Sequence, residues 1–269
     1  MNPTDHLRTS ASASTETRYE LVFPDVDPDR YDQDEEWCEV VVDGETRSVR
    51  FHDYDEIYSL PGLYEQLFYD VLKCVSPRIV CELLAERLEI SGESPEDLRV
   101  LDVGAGNGMV GEQLRKLGAE MMVGVDIISE AAEAAERDRP EVYDDYYVVD
   151  LTDLSDETRA ELDDHDFNSM VCVAALGFGD IPPNAFAEAF NMVATGGHVA
   201  FNIKEDFVSD EDETGFSALM RRALDDGTLE LEGEMRRYRH RLSAAGEPLH
   251  YLAAAAIKRR DLDLDLGAG

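Results

Sequence analysis

The chain has 269 residues, of which 60 are Asp or Glu and 24 are Lys or Arg, so its formal net charge at pH 7 is −36. Such a surface repels a polyanion, which argues against nucleic acid as a substrate. No apolar run reaches 18 residues, so we expect neither a membrane anchor nor secretion but a cytoplasmic protein. The acids are spread along the whole chain, which favours a surface adapted to molar salt, as in a haloarchaeon-like halophile, over recruitment of basic partners.

The four cysteines show no pattern that binds a metal or forms a redox pair. They contain no C-x-x-C pair and no Cys/His spacing suited to zinc, so we expect reduced thiols and no metal site. The length fits one α/β domain with an N-terminal addition. The oligomeric state is left open by the sequence.

The N-terminal quarter predicts three segments. Residues 1–18, rich in Ser, Thr and Ala, predict a disordered lead-in. Two apolar runs between Trp37 and Asp53 flank Asp43-Gly44, which predicts a β-hairpin with a tight turn. The aromatic-rich segment 53–70 then predicts an amphipathic stretch whose rings pack on the core. Together, residues 19–75 form a unit ahead of the main domain, 76–260, in which Ser76 is predicted to cap a first helix.

A glycine-rich stretch, residues 99–111, organises the main domain. The apolar run from Arg99 to Val103 predicts a strand, the segment 104–108 a tight loop, and Met109 the start of a helix. Glycines let backbone N–H groups approach a ligand, and the helix start adds a partial positive charge. Asp102 places a carboxylate at the end of the strand, where an amino group is favoured and a pyrophosphate is repelled. We therefore expect a nucleotide-type cofactor with a cationic end.

The spacing D-x-G-x-G-x-G from Asp102 to Gly108 resembles the first motif of class I S-adenosylmethionine-dependent methyltransferases, including those that act on small molecules. The resemblance covers roughly 98–258 and implies S-adenosylmethionine as the cofactor. It also implies in-line transfer of an activated methyl group, for which a dedicated base is optional. Two alternatives stay open: an NAD-dependent oxidoreductase, which would not account for Asp102, and a non-catalytic protein that only binds S-adenosylmethionine.

Two further acids follow predicted strands. Asp126 ends the second strand and is placed to accept hydrogen bonds from ribose hydroxyls; its alternative role, capping the next helix, is better suited to Ser129. Asp150 ends the third strand, a position where the resemblance implies binding of the adenine amino group. The predicted cofactor-binding residues are Asp102, Gly104, Ala105, Gly106, Asn107, Asp126, Ile127, Asp150 and Leu151.

Two regions indicate where the methyl acceptor binds: the loop after the fourth strand and the aromatic residues of the N-terminal segment. Related N-methyltransferases often carry Asn or Asp, Pro-Pro and an aromatic residue here, whereas this chain has Asp180-Ile-Pro-Pro without the aromatic, which argues against methylation of nucleobase or glutamine amino groups. The resemblance implies that segment 53–70 folds over the site as a lid. The candidate bases are His52, Tyr54 and Asp180, and the predicted acceptor-binding residues are Tyr58, Tyr64, Tyr69, Phe178, Arg237 and Arg239.

The C-terminal part predicts a fifth strand at 198–203, a helix, and two long antiparallel strands, 229–242 and 250–258. The expected fold is therefore a doubly wound, seven-stranded, mostly parallel sheet with an antiparallel C-terminal hairpin and an N-terminal β-hairpin and lid. Alternation sends Arg237, Arg239 and Arg241 to one face, either to bind an anionic group of a small acceptor or to pair with surface acids. Residues 261–269 predict a frayed acidic tail.

Overall fold

A computed structural model of the chain describes residues 18–24, 33–176, 180–205 and 215–263. The predicted lead-in up to residue 17, the end of the tail and Phe178 lie outside these ranges. Strands and helices are numbered along the described part of the chain. The strands are β1 (Glu20–Val22), β2 (Trp37–Val42), β3 (Glu45–Arg50), β4 (Arg99–Val103), β5 (Met121–Asp126), β6 (Asp145–Val148), β7 (Ser169–Leu176), β8 (His198–Lys204), β9 (Leu229–Leu231), β10 (Arg236–Leu242) and β11 (Pro248–Lys258). The α-helices are α1 (Tyr54–Ser59), α2 (Ser76–Ser91), α3 (Met109–Leu117), α4 (Ser129–Asp138), α5 (Asp156–Asp163), α6 (Pro183–Met192) and α7 (Phe216–Asp225).

The predicted N-terminal hairpin is present and gains a third strand. β2 and β3 pair antiparallel around Asp43 and Gly44, whose φ angles of 54° and 84° give the left-handed turn that such a dipeptide favours. β1 pairs with the other edge of β2. The segment that follows is helical, as α1 and a π-helical turn, Glu65–Val71. We call residues 53–71 the lid.

The main sheet has the expected doubly wound topology. Its strand order is β10-β11-β8-β7-β4-β5-β6, and β4 to β8 run parallel. β11 lies antiparallel between β8 and β10. The order reverses between β4 and β7, and at such a switch point a crevice opens beyond the carboxyl ends of the strands.

The predicted strand 229–242 is interrupted, so the described sheet has eight strands. Gly233, with a φ of +100°, separates β9 from β10, although both pair with β11. A second irregularity lies inside β10, where the register shifts between Arg239 and Arg241. The prediction that Arg241 shares a face with Arg237 and Arg239 is therefore wrong: the bulge turns Arg241 inward, and it is buried.

Helices cover both faces of the sheet and bury separate cores. Val100 of β4 packs with α2 and α3, whereas Leu101 and Val103 pack with α6 and α7 on the opposite face. The alternation of β4 thus supplies both cores. Among the described helices, none is long and apolar enough to span a membrane.

Two predictions about helix N-caps are wrong. Val75 is the N-cap of α2, and Ser76 lies inside the helix with its hydroxyl bonded to His240 instead of to the helix backbone. Similarly, the Ser129 hydroxyl donates to Glu130, and Ile128 is the N-cap of α4.

At the C-terminal end of the described chain, residues 261–263 are held in place. The backbone N–H and carbonyl of Leu262 each form a hydrogen bond with the Asn191 side chain.

Candidate functional site

A cavity of about 240 Å³ opens at the carboxyl ends of β4, β5, β6 and β7, under the lid. We call it the cofactor cavity. Its floor is formed by strand ends and the residues after them, and its roof by lid aromatics. Of the residues predicted for the site, those in its wall are His52, Tyr54, Tyr58, Tyr64, Gly104, Asp126, Ile127, Asp150, Leu151 and Asp180.

The glycine loop forms part of the floor and is packed too closely for side chains. A Cβ on Gly104 would lie 2.9 Å from the Ala175 Cβ, and one on Gly106 would overlap the Tyr58 hydroxyl. Gly104 lines the cavity, whereas Ala105, Gly106 and Asn107 lie next to it in the loop and are outside the cavity wall. The lid therefore rests directly on the second half of the loop.

Asp126 fixes the loop while facing the cavity. Its Oδ2 accepts from the Gly106 N–H at 2.9 Å, and its Oδ1 accepts from the Ile128 N–H at 3.1 Å ahead of α4. Burial raises the pKa of this carboxyl. Each carboxylate oxygen has a second lone pair, so Asp126 holds the backbone and can still accept from a ligand. The N-cap of α4 is Ile128, so Asp126 supports the turn before the helix and does not cap it.

Ile127 and Asp150 flank Asp126 at the open side of the cavity. The Ile127 side chain lines the cavity yet is 62% exposed, an apolar surface suited to a flat ring. Asp150 is exposed; its Oδ1 accepts from the Thr152 N–H and hydroxyl, at 2.8 and 2.7 Å, and these bonds lower the pKa of Asp150. The second oxygen leaves acceptor capacity for a ligand amino group.

Asp102 is not placed as the sequence predicts. Its side chain is fully buried and absent from the cavity wall, and its Oδ2 accepts from the Tyr143 hydroxyl at 2.6 Å. It shares the α2/α3 face of β4 with Val100, which points it away from the floor. Burial raises its pKa to about 7, and its Oδ1 has no hydrogen-bond partner among the described residues. Direct contact of this carboxylate with a cationic ligand is therefore not supported.

The lid is fastened to the floor by charged groups. Glu65 accepts from the Asn107 side-chain amide and from Arg139, both at 2.7 Å. Arg139 also donates to the Asn107 carbonyl, and Arg137 to the Tyr58 carbonyl. These bonds tie the lid to the glycine loop and to the end of α4. Asn107 therefore has a positioning role in this structure.

The three candidate bases meet at one side of the cavity. His52 Nδ1 lies 3.4 Å from Asp180 Oδ2, and the His52 ring packs edge-on against Tyr54 at 5.8 Å between centroids. Burial, together with the nearby Asp180 charge, raises the pKa of Tyr54 well above its usual value, so Tyr54 stays protonated. A histidine oriented by a carboxylate is the arrangement of a general base.

Three predicted acceptor residues are not in the cavity wall. Arg237 and Arg239 lie on the exposed face of β10, and Arg237 pairs with Glu205 at 2.7 Å, as the surface-pairing alternative requires. Tyr69 lies in the π-helical turn and packs in the core of the N-terminal unit, where its ring contacts that of Tyr64 at 6.0 Å between centroids. Phe178 falls outside the described residues.

The sequence missed a bulge that shapes the floor. Val173, Ala174 and Ala175 of β7 lie opposite the single residue Asn202 of β8, and Ala174 adopts a φ of +58°. The Asn202 side chain accepts from the Ala174 N–H at 2.7 Å. The bulge places the end of β7 in the cavity wall. The sequence feature that could have predicted the bulge is a polar residue, Asn202, inside the otherwise apolar strand 198–203.

Asn202 is itself held by a buried polar network. It donates to the Tyr238 hydroxyl at 2.8 Å, and the Ser76 hydroxyl lies 2.6 Å from both Tyr238 and His240 Nδ1. Burial lowers the pKa of His240 well below its usual value, so its ring is neutral. Within the described ranges, no cluster of three or more His, Cys, Asp or Glu side chains is arranged to hold a metal.

Comparison with known proteins identifies the class. A family model described as a methyltransferase domain matches residues 77–243. A curated relative, the ubiquinone biosynthesis O-methyltransferase of Alkalilimnicola ehrlichii, is 30% identical over 107 residues, which span 40% of this chain and 42% of that enzyme. The chain thus matches less than half the length of this relative.

Two solved structures show similar architecture. The N-methyltransferase NodS of Bradyrhizobium japonicum, in complex with S-adenosyl-L-homocysteine, has a TM-score of 0.50 at 16% identity and covers 77% of this chain and 97% of its own. Magnesium protoporphyrin IX methyltransferase of Synechocystis, with bound S-adenosylmethionine, has a TM-score of 0.47 at 17% identity and covers 68% and 79%.

The fold is therefore that of class I methyltransferases. The chain belongs to the methyltransferase domain family, and the prediction of an S-adenosylmethionine-dependent methyltransferase is confirmed at that level.

Proposed function

We propose that the chain is an enzyme that transfers a methyl group from S-adenosylmethionine to the hydroxyl of a small molecule. The observation that supports this most directly is the cofactor cavity, which brings a glycine loop, Asp126 and a His52–Asp180 pair to one crevice. S-adenosylmethionine supplies, when bound, a methyl group already activated on a sulfonium centre. The protein then has to bind, align and dehydrate the reactants.

The residues present fit this cofactor. Asp126 offers lone pairs to ribose hydroxyls, Ile127 offers an exposed apolar face to the adenine ring, and Asp150 offers an oxygen to its amino group. Gly104 leaves the loop backbone accessible where any Cβ would collide with Ala175. The relative that acts as an O-methyltransferase is consistent with an oxygen acceptor.

His52 is assigned as the proton acceptor. With Nδ1 directed at Asp180, the ring nitrogen that takes a proton from the acceptor hydroxyl is Nε2, and Asp180 stabilises the imidazolium that results. Tyr54 and Tyr58 cover this point and exclude water. A His52→Gln variant is expected to lower kcat by about 10²–10⁴-fold without weakening cofactor binding.

The test is thermal unfolding in molar KCl with S-adenosylmethionine, S-adenosylhomocysteine or NADH added separately. A ligand at about 100 times its Kd stabilises the folded state by about 2.7 kcal/mol. Stabilisation by the two adenosyl sulfur compounds alone, reduced in Asp126→Asn, is expected. Stabilisation by NADH alone would overturn the proposal, and cofactor binding without turnover on any hydroxylated compound would favour the non-catalytic alternative.

A further inference from the structure

A second, smaller pocket of about 30 Å³ lies beside the cofactor cavity, on the side of the N-terminal unit. The two spaces share His52, Tyr54 and Asp180 in their walls. A molecule that presents its reacting group to His52 therefore has this small pocket within reach. Its volume admits a substituent of one or two atoms and no ring.

The small pocket offers no unneutralised positive charge. Arg241 is 3% exposed and Glu36 is 1% exposed, and the two are paired. Glu36 also accepts from the Ala244 N–H at 2.5 Å, which fixes the pair. Burial keeps His240 neutral and raises the pKa of the Cys74 thiol. His52 and Asp180, which also line this pocket, face each other at 3.4 Å. A buried carboxylate would meet no free counter-charge among the described groups of this wall.

Gln33 indicates which kind of ligand group the small pocket binds. The side chain is 8% exposed, and its amide nitrogen donates to the Tyr251 hydroxyl at 2.8 Å. Gln33 lines this pocket, and its Oε1 has no hydrogen-bond partner within the part of the chain that the structure describes. A buried acceptor without a donor is unfavourable, and a neutral O–H group of a ligand would satisfy it.

Most of the remaining residues in the wall of the small pocket are aromatic, with Ala174 and Leu176 beside them. Phe51, Phe68 and Tyr251 line the small pocket, and Tyr54 and Tyr64 line both spaces. Flat faces of this kind pack best against another planar ring. Because the small pocket holds no ring, that ring has to lie in the cofactor cavity under the lid, with one substituent directed at Gln33.

Resting on the proposed function, we propose that the methyl acceptor is a neutral hydroxylated aromatic ring, one hydroxyl of which donates to Gln33 Oε1. The small pocket is thus a specificity site that admits a hydroxyl and excludes a carboxylate. This replaces the expectation of an anionic acceptor, since Arg237 and Arg239 lie on the solvent face and Arg241 is neutralised by Glu36.

The test measures binding of catechol, 2-methoxyphenol and salicylate to the S-adenosylhomocysteine-saturated protein by calorimetry. One neutral hydrogen bond is worth up to about a tenfold change in Kd, so catechol, which has one hydroxyl for His52 and one for Gln33, is expected to bind about tenfold more tightly than 2-methoxyphenol, which lacks one donor. Salicylate, in which a carboxylate replaces one hydroxyl, is expected to bind more weakly than catechol. Gln33→Leu removes the difference between catechol and 2-methoxyphenol, whereas the matched change Gln113→Leu, on α3 and outside both cavities, retains it.

Gln33→Glu keeps the acceptor oxygens and is expected to preserve the preference for catechol, which covers the case in which Gln33→Leu does not fold. Equal affinities for catechol and 2-methoxyphenol, tighter binding of salicylate, a preference that survives in Gln33→Leu, or no binding of catechol at millimolar concentration each overturn the proposal. Failure of S-adenosylhomocysteine to bind in the first place overturns the proposed function instead.

Discussion

The floor of the cofactor cavity is made of backbone at the ends of parallel strands, whereas its roof is made of aromatic side chains from the lid. On the floor, positions are fixed by glycine φ angles and by Asp126 bonds to N–H groups. On the roof, Tyr54, Tyr58 and Tyr64 are stacked at 4.9 to 6.1 Å between centroids and tied down by Glu65. A backbone floor tolerates little change, whereas the contacts of a side-chain roof can be removed one at a time by substitution.

The largest effect on cofactor binding is expected where floor and roof touch. Gly106→Ala places a methyl group on the Tyr58 hydroxyl at a φ of +54°, and strain of about 1–3 kcal/mol should weaken S-adenosylhomocysteine binding by about 5-fold to 150-fold. Isothermal titration measures the Kd. Gly196→Ala is the control, because its φ of +91° is also strained but nothing lies within 4 Å of the new Cβ.

The double variant Gly106→Ala/Tyr58→Phe separates the two causes of that loss. Removing the hydroxyl relieves the collision and leaves the backbone strain, so partial recovery of affinity is expected. No recovery would mean that the lid does not rest on the loop as described.

The second prediction concerns the free energy of unfolding and its dependence on Asp102, the buried acid beneath the floor. The pKa of Asp102 is about 7 when folded and about 3.9 when unfolded, so the folded state binds more protons between these values. Stability contributed by protonated Asp102 is fully present below pH 4 and is lost as the pH rises towards 7. Asp102→Asn should therefore gain up to about 4 kcal/mol relative to the parent between pH 4 and 8.

Urea unfolding of the parent and of Asp102→Asn across this pH range measures that difference. Parallel profiles would contradict the buried, proton-binding state of Asp102. Asn can still accept from the Tyr143 hydroxyl, so the substitution keeps the contact that positions the side chain.

The smallest effect is expected for the bonds that fasten the roof. Glu65→Gln weakens the contacts with Asn107 and Arg139, and because Glu65 is partly exposed the pair contributes little energy. Release of S-adenosylhomocysteine, followed by stopped flow, should accelerate about twofold to fivefold. Glu82→Gln, which removes an equivalent ion pair with Arg78 on α2, should leave the release rate unchanged.

The difference between floor and roof also explains which parts of the site the sequence could predict. Floor elements depend on local signals: Gly104 to Gly108, the alternation of β4 and the strand-end acids place the loop without knowledge of the rest of the chain. Asp102 was the exception, because helices cover both faces of β4 and the sequence does not show which face lies towards the cavity. The roof aromatics were predicted as a group, but which of them face the cavity depends on the π-helical turn, and so Tyr69 was misplaced.

Features that depend on contacts distant in sequence were missed. The bulges at Ala174 and His240 each involve a network that joins α2, β8 and β10, and Gln33 meets Tyr251 across 218 residues. The basic run 236–241 gave no sign that Arg241 alone would turn inward. Pairing with Glu36, itself in the N-terminal unit, decides its place.

Trp37, the only tryptophan of the chain, lies half-buried at the start of β2, opposite Arg50, in the small sheet that leads into the lid. Its emission is therefore a site-specific optical reporter for the roof, whereas the far-ultraviolet dichroism of the large sheet and its helices reports on the floor. Heating one sample and following both signals would show whether the two layers melt as a single cooperative unit or the roof separates first.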